Sequence, residues 1–353
     1  MSKDVRARGS MIRNFLLRTL SDASRPMTYA ELSELGAKKF NITKSAVAKH
    51  LRGLKEQGTI EVNAKGRSRI CTLKKLEQTH FELSVNGPDS LNEMDVYVNL
   101  VKPRLKNICD SAEHILEHGF TEMLNNVCDH SGATKVAISI VQTAISTTIT
   151  IIDNGIGIFR KVKEALNLPD ERQSLLELSK GKFTTDPANH SGEGIFFTSR
   201  ACDRFAIYSN GLVFTHLESS RDLLDKNPEL EDLPGTIVMM NINNNSNKRM
   251  RQIFDSFSSV DQGFTKTEVP VKLVQYENEG LTSRSQAKRL LARIDRFKYI
   301  TLDFEGVQYV GQAFADQIFR VFVKAHPSLE IRYKNANEEI EQTIKIAQNN
   351  TVE

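Results

Sequence analysis

Glu122-Met123-Leu124-Asn125-Asn126, Asp153-Asn154-Gly155-Ile156-Gly157 and Gly192-Glu193-Gly194 decide the reading of this chain, and they follow one another at spacings of 31 and 39 residues. On a helix, Glu122 and Asn126 lie one turn apart and project from the same face, and His130 extends that face by another turn. An amide oxygen such as that of Asn126 suits Mg²⁺, which takes a few hard protein ligands and completes its shell with phosphate oxygens and water. A carboxylate at Glu122 can orient an attacking hydroxyl or water, or take its proton. Asp153 ends an apolar stretch, where a carboxylate can accept a hydrogen bond from the exocyclic amine of adenine, and Gly155 and Gly157 let the backbone pass close to a ligand. Gly192 and Gly194 precede Ile195-Phe196-Phe197, the expected start of a helix whose free N–H groups favour phosphate. Each run alone has a plainer reading, as a solvated polar stripe or a turn. In this order and spacing, the three together point to a pocket for ATP with Mg²⁺.

The rest of the chain is compatible with such a pocket. It has 353 residues, of which 39% are hydrophobic, enough for two or three compact cores. No apolar run approaches the roughly 20 residues of a spanning helix, and Met1–Ser10 lacks the hydrophobic stretch of a leader, so a cytoplasmic protein without membrane contact is expected. Cys71, Cys109, Cys128 and Cys202 form no Cys-x-x-Cys pair, which argues against a zinc ribbon or a disulfide framework. A phosphate-binding Gly-x-x-x-x-Gly-Lys-Ser/Thr run is absent, since Gly181-Lys182 has no leading glycine.

The net charge of +3 conceals an asymmetry: Met1–Lys75 carries 17 Lys/Arg against 6 Asp/Glu, and the remainder 30 against 38. A basic end on an otherwise acidic chain suggests an attached nucleic-acid module. Within it, Thr28-Tyr29-Ala30-Glu31 is a capping box that opens a helix. A second helix is expected from about Thr43 to Gln57, with Val47, Leu51 and Leu54 buried and Lys44, Ser45, Lys49 and Arg52 mostly outward. Ile60–Thr72 then alternates as a hairpin with its tip at Lys65-Gly66, bearing Lys65, Arg67 and Arg69.

Residues 77–95 read as a linker around Gly87-Pro88. A central domain, 96–241, carries strands at Lys135–Ile140 and Thr147–Ile152. Residues 242–266 read as a linker and helical connector. In 267–348 strands and helices alternate as a small α/β domain: strand Val269–Tyr276, helix Ser283–Arg296, strand Tyr299–Phe304, helix Gln312–Val323 and strand Leu329–Tyr333. Residues 349–353 form a tail. The fold class expected is multidomain α/β.

The central runs resemble the ATPase domain shared by DNA gyrase, the heat-shock chaperone, sensor histidine kinases and anti-sigma kinases (the GHKL or Bergerat class), over about Val96–Asn241. The resemblance implies a sandwich of helices on a sheet, with Glu122 as general base, Asn126 as the Mg²⁺ ligand, Asp153 as the adenine acceptor, and Gly155, Gly157, Gly192 and Gly194 as close-approach positions. It makes Phe159–Ser191 a lid, with Lys182, Thr184, Thr185, His190 and Ser191 as its polar contacts, and puts the hydroxyl of Thr236 near adenine. His130 joins the ATP set. No phosphoacceptor hairpin precedes the pocket, and His114 and His118 are read as structural, which argues against a two-component kinase.

Residues 1–76 resemble winged-helix DNA-binding domains. The resemblance makes Thr43–Gln57 the recognition helix, with Ser45, Lys49 and His50 as readers of double-stranded DNA, and Lys65–Arg69 the wing. Residues 267–348 resemble STAS-like domains through Thr301-Leu302-Asp303-Phe304-Glu305-Gly306-Val307. The usual Ser/Thr acceptor is replaced by Val310-Gly311-Gln312-Ala313, leaving Thr282, Ser283 and Ser285 as alternatives, and a role in binding a protein partner is favoured. The expectation is an ATP-controlled DNA-binding regulator. A serine/threonine kinase of the anti-sigma type and an ATPase that forms a homodimer on ATP remain the alternatives.

Overall fold

The computed structural model describes residues 3–23, 25–65, 68–85, 91–183, 192–217, 220–226, 230, 233–259, 263–275 and 279–349, with backbone alone at 3–6, 65 and 220–226. The chain is a mixed α/β protein, and its described residues form three apolar cores. The first belongs to α1 (Lys3–Asp22), β1 (Met27–Thr28), α2 (Tyr29–Phe40), α3 (Lys44–Glu56) and the hairpin β2 (Ile60–Lys65) and β3 (Ser68–Leu73), with sheet order β1-β3-β2. The capping box forms: Thr28 Oγ1 accepts from the Glu31 N–H at 3.1 Å, and Glu31 Oε2 accepts from the Thr28 N–H at 2.7 Å. Thr43 caps α3 through the Ala46 N–H at 3.2 Å. The helices α2 and α3 cross at Gly36, where a Cβ would lie 2.9 Å from a Val47 methyl.

The central unit contains β4 (Glu77–Ser84), α4 (Glu93–Val96), α5 (Asp110–His130), β5 (Lys135–Gln142), β6 (Ser146–Asp153), α6 (Ile158–Leu166), α7 (Arg172–Lys180), α8 (Gly194–Ala201), β7 (Arg204–Ser209), β8 (Leu212–Leu217), β9 (Ser220–Lys226) and β10 (Thr236–Asn243). Its strands make an antiparallel seven-stranded sheet in the order β4-β5-β6-β10-β7-β8-β9. The expected linker over 77–95 is corrected in its first half, because β4 pairs with β5 along its whole length. Of the inward, half-buried face Glu77, Thr79, Phe81 and Leu83, only the last two are apolar, while Gln78, His80, Glu82 and Ser84 are exposed, so this edge strand has the composition of a linker. The helix α5 lies on the sheet and meets α8 at Gly119, where a Cβ would be 2.8 Å from Thr198 Cγ2 and 2.9 Å from Met240 Sδ. A larger residue there would force those side chains to shift. The N-terminal unit meets this sheet through Arg204, which donates to Asp22 at 2.7 Å, and through Ile145 in the β5–β6 turn, which packs on the N-terminal core.

The remainder comprises α9 (Met250–Phe257), the short pair β11 (Ser258–Ser259) and β12 (Gly263–Phe264), then β13 (Lys266–Pro270), α10 (Arg284–Leu291), β14 (Tyr299–Asp303), α11 (Gln312–Asp316), α12 (Val323–Ala325), β15 (Glu330–Lys334) and α13 (Glu338–Asn349). The strands β13, β14 and β15 form a parallel sheet. Three boundaries differ from the sequence reading. The first strand begins at Lys266 and gives way after Pro270 to a 3₁₀ turn over Val271–Val274. The helix expected to reach Arg296 stops at Leu291, and Arg293 takes a left-handed φ of 55°. The helix expected over Gln312–Val323 is interrupted by a π turn at Gln317–Phe322.

The central and C-terminal units interlock. Residues Ser174 to Lys180 of α7 are buried, and its C-terminus reaches the C-terminal unit. Lys180 Nζ donates to Glu177 Oε1 at 2.9 Å and to the Ala292 carbonyl at 2.7 Å, while Thr267 donates to the Lys180 carbonyl at 2.7 Å. Alongside, Phe196 and Phe197 of α8 join Phe254, Phe257, Phe264 and Phe297 in one aromatic cluster, with ring centroids 4.7 Å apart for Phe196 and Phe264 and 5.3 Å for Phe264 and Phe297. An ion pair with side chains only 2% and 7% exposed is strongly coupled to its surroundings. Removing one member strands the other charge. Glu177→Gln is therefore expected to lower the unfolding free energy by about 3–5 kcal/mol, read from chemical denaturation; a loss of about 1 kcal/mol or less would equate the pair with an exposed one.

Candidate functional site

The antiparallel pairing of β6 with β10 sets the chemistry of one wall. Ile152 stands opposite Ile237, so Asp153 at the end of β6 lies beside the start of β10 and accepts hydrogen bonds from the backbone N–H groups of Gly155, at 2.8 Å, and Thr236. Asp153 is 5% exposed. Burial raises its carboxyl above the ordinary aspartate range, and those two N–H donors oppose the shift. Gly235 makes the approach possible, since its φ is 79° and a Cβ there would fall 2.0 Å from the Asp153 carbonyl oxygen. Thr236 Oγ1 accepts from the Ile158 N–H at 3.0 Å, which seats the start of α6 against β10.

The loop Asn154–Gly157 is pinned on both sides. Asn154 Oδ1 accepts from the N–H groups of Thr134 and Lys135 at 2.9 and 3.0 Å, and the Ile156 N–H donates to Ser131 O at 3.0 Å. These bonds tie the loop to the C-terminal end of α5. On the far side Gly157, with φ 88°, packs against the β7–β8 turn, where a Cβ would be 2.3 Å from Asn210 Oδ1. The third run closes the ring: a Cβ on Gly194 would lie 2.0 Å from Glu122 Oε2, so the carboxylate sits directly against the N-terminal turn of α8. A negative group there is favoured by the helix dipole.

The result is a cavity of about 330 Å³, in the range of small-ligand pockets. Glu122, Asn126, His130, Asp153, Gly157, Gly192, Gly194 and Thr236 all line it. The burial of Met123, Leu124 and Val127 under the same helix turns Glu122 and Asn126 toward the cavity. Two of the expected residues do not line it. Gly155 lies behind the wall, where a Cβ would meet the Ser131 carbonyl at 2.3 Å, so it shapes the loop instead of touching the space. Lys182 turns to the C-terminal unit: Nζ donates to the Arg296 carbonyl at 3.0 Å and lies 4.9 Å from the Phe297 ring centroid and 5.4 Å from that of Phe264. Thr184, Thr185, His190 and Ser191 lie outside the described residues. Sequence reasoning missed Ser131, Lys161 and Glu193, which also line the cavity. Lys161 follows the glycine run by one helical turn, a spacing that was available as a signal.

On the basic N-terminal unit, Ser45, Lys49 and Arg52 form one exposed stripe of α3, and Arg69 is exposed on β3. Lys44 is exposed beside them and pairs with Glu34 at 3.2 Å. His50 departs from the expected set: it is half-buried toward α1, 3.6 Å from where a Gly9 Cβ would be, and burial followed by the charge of Arg13 lowers its pKa. Arg67 and the Lys65 side chain lie outside the described residues. In the C-terminal unit Ser283 is committed to capping α10, accepting from the Gln286 N–H at 3.2 Å, and a Cβ on Gly311 would meet Thr282 Cα at 2.9 Å. His118 lies edge-on to the Phe254 ring, with centroids 5.7 Å apart. Among the described residues no helix is long and apolar enough to cross a membrane.

Comparison with known families matches residues 286–341 to a STAS-like domain of unknown function (DUF4325), the segment that runs from α10 into α13. No curated protein matches the chain. The C-terminal unit thus carries a STAS-like domain over 286–341.

Proposed function

We propose that the chain binds Mg-ATP in the cavity between α5, α6, α8 and β10, and that the nucleotide state governs a DNA-binding N-terminal winged helix. The observation that carries this reading is the convergence of Glu122, Asn126, Asp153, Gly192 and Gly194, residues of three separate sequence runs, together with Thr236 around one space. Helices on a sheet with these runs within α5, at the end of β6 and at the start of α8 support the GHKL ATPase resemblance. Asp153, buried and at a strand end, suits an adenine amine. The first turn of α8 suits phosphate. Lys161 supplies a cation to the same lining.

Among the described residues no group of three or more His, Cys, Asp or Glu side chains converges. Asn126 fits Mg²⁺ in the way that ion prefers, as one protein oxygen beside phosphate oxygens and water. Bound there, Mg²⁺ would neutralise triphosphate charge. Glu122 would hold or accept the proton of an attacking water or hydroxyl. Helix–strand–helix–helix–hairpin order and the exposed Ser45, Lys49 and Arg52 stripe support DNA contact by α3. Ser283, occupied as a helix cap, gives no support to phosphate transfer onto the chain's own STAS-like domain.

Asp153→Asn separates recognition from stability. Because the folded-state pKa of Asp153 is raised, its ionisation disfavours the folded state, and that penalty develops as pH rises from the ordinary aspartate range through the raised value. The variant is expected to melt at or above the wild-type temperature at neutral pH, with the difference shrinking as pH falls below that window. Its ATP affinity, read by calorimetry, is expected to drop by about 1.5–3 kcal/mol, roughly ten- to a hundredfold. Unchanged affinity would remove Asp153 from the site. Glu122→Ala is expected to retain ATP while phosphate release falls by about 10²–10⁴; retained turnover would exclude it as the base. For the N-terminal unit, the double variant Lys49→Ala, Arg52→Ala is expected to weaken binding to duplex DNA and to flatten its salt dependence by about two phosphate contacts. An unaltered salt slope in fluorescence anisotropy would place the DNA contact elsewhere.

A further inference from the structure

Arg293 belongs to the STAS-like domain but contacts two helices, α6 and α7, that contribute other residues to the cavity lining. Its backbone is left-handed, φ 55° and ψ 19°, a conformation that side chains other than glycine and asparagine seldom adopt. Such an outlier persists only where surrounding contacts over-determine it. Here they are specific. One guanidinium nitrogen donates to the carbonyl of Leu166, the last residue of α6, at 3.3 Å, and another lies 3.5 Å from Glu177 Oε2 on α7. The preceding residue, Ala292, offers its carbonyl to Lys180 at the end of α7. Three residues on, Arg296 donates to the Lys182 carbonyl at 3.0 Å, and Lys182 returns a hydrogen bond to the Arg296 carbonyl.

Both helices held in this way line the proposed nucleotide space: α6 contributes Ile158, Lys161 and Val162, α7 contributes Leu178, and the segment after α7 contributes Phe183. A planar fork with several donors can hold a helix C-terminus and a carboxylate at once, which a lysine could not do equally well. We propose that Arg293 is a positioning residue: through it the STAS-like domain sets the spacing of α6 and α7, and with it the affinity of the cavity for nucleotide. The inference rests on the Mg-ATP reading. It also assigns a direction of communication, because any partner that shifts the 292–296 segment would change nucleotide affinity, and nucleotide would change that partner's affinity by the same factor.

The test uses the full chain with Arg293→Ala and Arg293→Gly. Both remove the guanidinium, but glycine adopts the left-handed backbone freely, so the glycine variant should melt at or above the alanine variant. Calorimetric titration with Mg-ATP is expected to give an affinity lower by about fivefold or more in both. Affinity that is unchanged in both variants while the melting temperature falls would reduce Arg293 to a structural contact and overturn the proposal. If the wild type itself takes up no Mg-ATP, the nucleotide reading fails, and hydrogen exchange then decides the positioning role alone. Faster exchange confined to α6 and α7 in both variants would sustain it; exchange equal to wild type would overturn it.

Discussion

The site depends on how closely α5 can lie against the seven-stranded sheet and α8. Gly119 removes the side chain that would hold the helix off Thr198 and Met240, and Met123, Leu124 and Val127 then bury along the same turns. With those positions fixed inward, the 3.6-residue period leaves Glu122 and Asn126 facing the space beneath β10 and α8. The remaining elements close on that helix. The Asp153 loop is tied to its C-terminal end through Ser131, and Gly194 brings the first turn of α8 against Glu122.

Glycine is used here for proximity more than for flexibility. At Gly157, Gly192, Gly194 and Gly235 a Cβ would fall between 2.0 and 2.4 Å from a neighbouring atom, well inside any real contact. The loops they occupy are consequently built from backbone packed on backbone and polar tips, held where Asn154 and Thr236 accept from backbone N–H groups and Ser209 donates to the Gly235 carbonyl.

How far the sequence could be read follows from the range of the interactions involved. The strands around Lys135–Ile140 and Thr147–Ile152, the capping box at Thr28 and the cavity residues Glu122, Asn126 and Asp153 were legible because alternation, capping and helical spacing are local patterns. The edge strand Glu77–Ser84 was not, since an edge needs few apolar residues and half of its side chains face solvent. Lys182 beside a glycine looks like a phosphate contact, and nothing nearby in sequence announces that Phe264, Phe297 and the Arg296 carbonyl will take its ammonium. His50 is similar, placed by α1 rather than by its own helix. The interlock of α7 with the STAS-like domain joins residues more than a hundred positions apart, as between Lys180 and Ala292. Only the folded chain brings these residues together. It also makes the STAS-like domain part of the architecture around the cavity, with Phe196 shared between the cavity lining and the C-terminal core.

One space is proposed to receive an adenine nucleotide with its base at Asp153 and its phosphates at α8. Diffraction from crystals of the whole protein grown with Mg²⁺ and a non-hydrolysable ATP analogue tests it most directly. The account predicts density with the purine amine within hydrogen-bond distance of the Asp153 carboxylate, Mg²⁺ beside Asn126, and phosphates against the Gly192–Gly194 turn. An empty cavity at saturating nucleotide, or nucleotide bound away from those residues, would contradict it.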